Sequence, residues 1–146
     1  MSILIVRGPA GQGARGPVPL PRGLLGQLVA SVGEAGHALS VRACGDEREL
    51  LDALRLAHPS GGHALILDAG AAAGSARLAR VLASLQLPRV DVDVRAARTA
   101  GFADDAKHGC LARVRGYGMQ GYMLAAYILL EHLGCSGWSE SVHVGT

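Results

Sequence analysis

Charged side chains follow the short apolar runs of this chain, which is where the strands of a parallel sheet present their functional groups. They are Arg7, Asp68, Asp93, Arg95 and Arg98. If each run is a strand of one parallel sheet, all five groups lie near the same edge of that sheet. A guanidinium holds a carboxylate through a fork of two hydrogen bonds, and an aspartate can act as a general base. The residues predict a polar pocket, with Arg7 and Arg98 as anion ligands and Asp68 as a candidate base.

The same residues allow a simpler interpretation as charges at the ends of strands. Asp93 and Arg95 fit a solvated position best, whereas Asp68 and Arg98 stand beside apolar runs, where a charge needs a partner. Asp68 paired with Arg98 is an equal alternative to a binding site. Such a pair would be structural, and the loss of either partner would leave a costly buried charge.

Other kinds of site have weaker support. Residues 8–13 and 116–121 are rich in glycine, and the second segment has the spacing GxGxxG, but it follows the last predicted strand and no phosphate-loop lysine accompanies it. Close packing of a helix on a strand explains these glycines. The six histidines lack the i, i+4 spacing of metal ligands, so no metal or cofactor is predicted. Ser75 is better placed to cap a helix than to act as a nucleophile.

Apolar periodicity divides the chain into alternating strands and helices. Short, largely apolar runs predict strands at residues 3–6, 37–42, 64–67, 90–94 and 111–115. A spacing of 3.6 residues predicts helices at 24–35, 46–57, 75–85 and 118–133. Several strands are almost continuously apolar, as expected when both faces of a sheet are covered. The pattern predicts an α/β, flavodoxin-like fold in which a five-stranded parallel sheet carries helices on both faces.

Local signals refine these elements. Asp46 precedes two glutamates and predicts a helix start, because carboxylates complement the free N–H groups of a first turn. The first helix is expected to bury one apolar stripe, formed by Leu24, Leu25, Leu28, Val29 and Val32. Residues 8–23 are rich in glycine and proline and predict a loop. Residues 1–134 are expected to form one domain, followed by a C-terminal tail at 135–146.

Composition narrows the choice of partners and compartment. The chain has 146 residues and a net charge of +2, from 14 basic and 12 acidic residues, with no basic block that would track nucleic acid. Its three cysteines form no CxxC pair and predict inert, reduced thiols in a cytoplasmic protein. The first apolar run is too short for a membrane span. Because 49% of the residues are hydrophobic but only 3% are aromatic, a homo-oligomer is expected.

Segments spread along the chain resemble the type II 3-dehydroquinate dehydratases. The family pattern opens with a strand and Asn-Gly-Pro-Asn, and it closes with Gly-Phe-Gly-x-Gln-Gly-Tyr. Here Gly8-Pro9 and residues 116–122 match the two ends. Residues 67–71 resemble its Ile-Asn-Pro-Gly-Ala, residues 87–92 its Ile-Pro-Val-Val-Glu-Val, and residues 42–52 its second strand and next helix. The resemblance covers the chain from about Ile3 to Leu133.

The resemblance implies a flavodoxin-like sheet and an assembly of trimers packed into a dodecamer. It also implies a reaction, the anti elimination of water through an enolate. In the family a Tyr of a lid loop, assisted by Arg, removes a proton, an Asn holds the enolate side, and a His protonates the leaving hydroxyl. The corresponding pocket would be lined here by Arg7, Ala10, Asp68, Ser75, Arg95 and Arg98.

The residues that carry this chemistry in the family are replaced in this chain. Ala10 stands for the Asn after Gly-Pro, and no Tyr lies between Gly8 and Gly23, although Arg15 or Arg22 lies near the lid Arg. Asp68 replaces a second Asn, and the family's Tyr-Thr-His-Thr-Ser becomes residues 72–75. Arg98 replaces the His that acts as acid, and arginine does not give up its proton near neutral pH.

Three hypotheses follow from this combination of resemblance and replacement. The favoured one is a divergent homologue without dehydratase activity, which binds a small carboxylated molecule or has an assembly or regulatory role. The second is an enzyme of altered lyase or isomerase chemistry on a carboxylated substrate, with Asp68 as base. The third is residual 3-dehydroquinate dehydration through an unassigned group such as His108.

Overall fold

The computed structural model describes residues 2–10, 16–57, 63–94, 101–103 and 110–145. These residues form one six-stranded sheet and four α-helices. The strands are β1 (Ser2–Arg7), β2 (Ala38–Ala43), β3 (His63–Asp68), β4 (Arg89–Asp93), β5 (Gly101–Ala103) and β6 (Cys110–Arg115). The helices are α1 (Arg22–Glu34), α2 (Glu47–Ala57), α3 (Ala76–Ser84) and α4 (Gly121–Gly145).

The strand order is β2-β1-β3-β4-β6-β5. The first five strands in this order are parallel to their neighbours, which confirms the predicted five-stranded parallel sheet. The chain passes from β1 to β2 on one side and then crosses to β3 on the other side. The strand order therefore reverses between β1 and β3, where open α/β sheets bind their ligands.

Helices cover both faces of the sheet, as predicted. On one face the core contains Leu24, Leu28 and Val32 of α1 and Tyr122 and Leu129 of α4, packed on alternate strand residues. The other face packs against α2 and α3. Because strand side chains alternate between faces, Ile3 and Ile5 of β1 point toward α1 and α4. Arg7 is two residues beyond Ile5, so its side chain lies on the same face of the sheet.

Capping residues fix two helix starts as the sequence predicts. The Asp46 Oδ1 accepts a hydrogen bond of 2.9 Å from the Glu49 amide, and Glu49 Oε2 accepts one of 3.1 Å from the Gly45 amide. This reciprocal arrangement satisfies the Glu49 amide in the first turn of α2 and the Gly45 amide just before the helix. The Ser75 hydroxyl accepts a hydrogen bond from the Leu78 amide at 3.3 Å, so Ser75 is the N-cap of α3.

The structure corrects three details of the prediction. β5 is an additional strand, three residues long and antiparallel to β6. Leu25 and Val29 are 37% and 53% exposed. Only the line of residues at Leu24, Leu28 and Val32 packs on the sheet, and Leu25 and Val29 lie farther around the helix. The last helix, predicted to end at residue 133, continues to Gly145.

Two predictions from composition can be compared with the described residues. Cys44 and Cys110 are buried free thiols, and burial raises the pKa of both, so they match the expected inert cysteines. Within the described ranges, no helix is both long enough and apolar enough to cross a membrane.

Candidate functional site

Three buried polar residues meet at the carboxyl ends of β1 and β3. Arg7 is 3% exposed, Asp68 is 5% exposed and Tyr122 is fully buried. Arg7 and Asp68 occupy matching positions on the two neighbouring strands. Tyr122 lies in the first turn of α4, above them. We call these three residues the switch-point cluster, since they lie where the strand order reverses.

Hydrogen bonds join the switch-point cluster into a chain. Arg7 Nε donates to the Tyr122 hydroxyl at 2.9 Å, and that hydroxyl donates to Asp68 Oδ2 at 2.8 Å. The Gly70 amide donates to Asp68 Oδ1 at 3.1 Å. The Arg7 guanidinium also lies 5.4 Å from the centre of the Tyr122 ring, within the range of a cation–π interaction. One phenol thus connects a buried cation with a buried anion.

Backbone geometry brings α4 close enough for Tyr122 to reach both strands. A Cβ on Gly121 would lie 3.1 Å from Val92 Cγ1 and 3.5 Å from Val114 Cγ1. A Cβ at this position would fit only if the Val92 side chain and the first turn of α4 moved apart by a few tenths of an ångström. The glycine at the end of the GxGxxG spacing therefore serves close helix packing, as the sequence indicated.

The two loops above the cluster are joined directly to each other. The Gly8 amide donates to the Asp68 carbonyl at 2.6 Å, and the Ala71 amide donates to the Pro9 carbonyl at 2.8 Å. A Cβ on Gly8 would collide with the Ala69 backbone, and Gly70 has a φ of +58° that favours glycine. The Gly-Pro after β1 and the Ala-Gly after β3 form one packed unit, which holds Arg7 and Asp68 in register.

Burial controls the protonation of the cluster. It raises the pKa of the Asp68 carboxyl above the ordinary aspartate value, and the hydrogen bonds from Tyr122 and Gly70 and the charge of Arg7 offset this only in part. The charge of Asp93 raises that pKa further. Burial and the nearby Asp68 carboxylate also raise the pKa of Tyr122. The phenol therefore stays protonated and acts as a donor to Asp68.

The raised pKa of Asp68 predicts a pH dependence of stability. Because its pKa is higher in the folded state, Asp68 favours folding at low pH, and this contribution is lost as pH rises through the folded pKa. We expect the unfolding free energy of the wild type, relative to that of Asp68→Asn, to fall as pH rises from about 4. Urea unfolding of both proteins from pH 4 to pH 8 measures this difference. A difference that grows with pH would mean that Arg7 lowers the pKa instead.

Arg7 retains hydrogen-bonding capacity at the end of its guanidinium. Its Nε is used by Tyr122. Its terminal nitrogens, Nη1 and Nη2, make no hydrogen bond to any of the residues that the structure describes. These two nitrogens form the planar fork that matches a carboxylate. The contact through Nε fixes the orientation of this fork.

Comparison with known proteins agrees with the fold. No family model and no curated protein sequence matches the chain. A 3-dehydroquinate dehydratase-like protein from Bifidobacterium longum is 19% identical, with a TM-score of 0.60 over 92% of this chain and 99% of its own. Type II dehydroquinases from Propionibacterium acnes and Butyrivibrio crossotus are 19% and 16% identical, with TM-scores of 0.63 and 0.66. They cover 88% and 90% of this chain and 97% of their own lengths.

The chain has the type II dehydroquinase fold. At these identities the likeness concerns the backbone, and the side chains must be compared one by one. In the dehydroquinase pattern given above, an Asn precedes Gly-Pro, and Arg7 takes its position. A second Asn is replaced by Asp68. In this chain the two positions hold a cation and an anion on neighbouring strands, and both are hydrogen-bonded to the Tyr122 hydroxyl.

The dehydroquinase fold brings together some of the residues predicted for the site. Arg7 and Asp68 meet, and Asp93 lies near enough for its charge to act on Asp68. Ala10 is exposed beyond β1, and Ser75 is engaged as the cap of α3. Arg95 and Arg98 lie outside the described residues, as do Arg15 and His108, so the predicted pairing of Arg98 with Asp68 stays a prediction.

Tyr122 was not predicted as a site residue. Its position in the closing motif supported the resemblance, but nothing in the sequence indicated that its hydroxyl would reach the ends of β1 and β3. The available signal was its place as a polar group among apolar residues, directly after the glycine that brings α4 onto the sheet. In this structure, that position lies over the point where the strand order reverses.

Proposed function

We propose that this protein uses the dehydroquinase fold to bind a small carboxylated molecule at Arg7, and that it does not dehydrate 3-dehydroquinate. The observation that carries the proposal is the contact between Arg7 Nε and the Tyr122 hydroxyl. It holds a buried guanidinium with its fork still available, at the edge where α/β sheets bind ligands. A cation fixed in advance binds an anion with little ordering cost.

The protonation states in the cluster support binding more than dehydration. The reaction needs a base with a lowered pKa and an acid that gives up its proton. The Tyr122 phenol is buried, has a raised pKa and already donates to Asp68. By the resemblance, Ala10 and Arg98 occupy positions of an enolate-binding Asn and a proton-donating His. Neither replacement supplies the missing chemistry.

Isothermal titration calorimetry with quinate and with shikimate tests carboxylate binding. Arg7→Lys keeps the charge but removes the fork, so we expect the affinity to fall by about tenfold or more. The double variant Arg7→Asn with Asp68→Asn removes both charges together and leaves no buried charge alone. We expect it to fold and to lose binding.

The matched control for this titration is Arg55→Lys, which alters an exposed arginine of α2, far along the chain from the cluster. We expect this variant to bind as the wild type does. If Arg7→Lys and Arg55→Lys both bind with the affinity of the wild type, Arg7 is not a ligand-binding residue. If the wild type binds neither quinate nor shikimate, the proposal that it binds a small carboxylated molecule is wrong.

A second candidate function has one observation in its favour. The pKa of Asp68 is raised, which is the direction that makes a carboxylate a better base near neutral pH. An altered lyase or isomerase reaction with Asp68 as base would use the same carboxylate fork. Turnover of a carboxylated substrate that Asp68→Asn abolishes, with binding retained, would favour this candidate over binding alone.

A further inference from the structure

We propose that binding of a carboxylate at Arg7 causes Asp68 to take up a proton from solvent, so that the protein takes up one proton for each ligand it binds. This inference rests on the proposed function, since it concerns the same site. It adds a property that the proposed function does not require, namely that pH regulates occupancy. The proton comes from solvent and is released again when the ligand leaves.

The arrangement of charges around Asp68 carries the inference. Among the residues that the structure describes, the groups that act on this carboxylate are Arg7 from β1, Tyr122 from α4 and Asp93 from β4, together with the Gly70 amide. Arg7 is the cation among them. The cluster alone therefore balances one positive charge against the negative charge of Asp68, and Asp93 adds a further negative charge nearby.

A carboxylate on the fork of Arg7 changes that balance. One guanidinium would then face two carboxylates in a site where Arg7 and Asp68 are both almost fully buried. Uncompensated charge in such surroundings is expensive, and a carboxyl group avoids the cost by taking up a proton. Asp68 is prepared for this step because burial already raises its pKa in the free protein.

The hydrogen-bond chain specifies which group receives the proton. The Tyr122 hydroxyl connects Arg7 to Asp68 through hydrogen bonds of 2.9 and 2.8 Å. The negative charge of a carboxylate bound to Arg7 therefore acts on Asp68 across a single hydroxyl group. Tyr122 cannot take a second proton near neutral pH, and Arg7 is already protonated. Asp68 is the acceptor in the chain, and its protonation leaves one cation and one anion in the cluster.

Calorimetric titration with quinate in two buffers of different ionisation enthalpy counts the protons taken up on binding. Quinate suits the test because its own carboxylate is fully ionised above about pH 6. We expect proton uptake by the wild type, and an affinity that falls by up to tenfold for each pH unit above the pKa of free Asp68. Asp68→Asn is expected to bind quinate with no uptake and an affinity independent of pH.

The outcomes separate the two proposals. Binding by the wild type with no proton uptake and the same pH profile as Asp68→Asn would overturn the inference and leave the proposed function standing. Uptake that persists unchanged in Asp68→Asn would assign the proton to another group and overturn the inference as well. Failure of both proteins to bind quinate or shikimate would overturn the proposed function, and the inference with it.

Discussion

Gly8→Ala is expected to lower the free energy of unfolding by about 3 kcal/mol or more. A Cβ at this position would collide with the Ala69 backbone, which cannot turn aside as a flexible side chain would. The collision separates the loops after β1 and β3, which are joined by the bonds from Gly8 to Asp68 and from Ala71 to Pro9. Denaturant unfolding measures the loss, and carboxylate binding should weaken with it.

Gly26→Ala is the matched control, because it makes the same chemical change in α1 where a Cβ meets nothing within 4 Å. Alanine favours a helix over glycine, so we expect this variant to gain about 0.5 to 1 kcal/mol. The two substitutions should therefore shift stability in opposite directions. A Gly8→Ala protein as stable as the wild type would show that the two loops are not packed against each other.

Tyr122→Phe is expected to lower the free energy of unfolding by about 3 kcal/mol. The change removes one oxygen and keeps the ring, so the apolar contacts of α4 and the contact of the ring with Arg7 remain. Arg7 Nε loses its acceptor and Asp68 Oδ2 loses its donor, and both groups are buried. The cost is high because the lost hydroxyl makes hydrogen bonds to two charged groups, Arg7 and Asp68.

The control for this prediction is Tyr127→Phe, on the same helix, where the tyrosine is 52% exposed. We expect it to change stability by less than about 0.5 kcal/mol. Chemical denaturation of both variants at the same pH gives the comparison. Equal stabilities of Tyr122→Phe and Tyr127→Phe would mean that the hydroxyl does not connect Arg7 to Asp68.

The positions of the main strands and helices follow closely from the sequence. The predicted strands at 3–6 and 64–67 correspond to β1 and β3, because a buried parallel strand is a short apolar run between loop residues. Asp46 and Ser75 marked the starts of α2 and α3 through capping, which depends on only a few neighbouring residues. Signals of this kind are local, so the sequence alone contains them.

Features that depend on contacts between distant segments were harder to predict. β5 has three residues, too few for a periodic pattern, and it exists through pairing with β6. Leu25 and Val29 are as apolar as the residues that α1 buries, so only the placement of the helix on the sheet separates them. α4 runs past the predicted end at 133 to Gly145, and the glycines in this part of the helix cost it only about 1 kcal/mol each.

The candidate site was predicted in part. Arg7 and Asp68 were identified because both follow predicted strands, and the topology brings them together at the reversal of strand order. Arg98, one of the alternatives considered as a partner for Asp68, lies outside the described residues, and the structure gives Tyr122 as a hydrogen-bond partner, 54 residues farther along the chain. No spacing rule connects residues so far apart. Their contact follows from the close approach of α4 that Gly121 permits.

The most direct test of the central claim is a continuous absorbance assay that follows the formation of 3-dehydroshikimate from 3-dehydroquinate. The cluster holds a buried, protonated phenol and a guanidinium that stays protonated, and neither can remove the substrate proton. We expect no turnover above the uncatalysed rate at micromolar protein. Turnover at an ordinary enzymatic rate, on the order of 1 per second or faster, would contradict the claim.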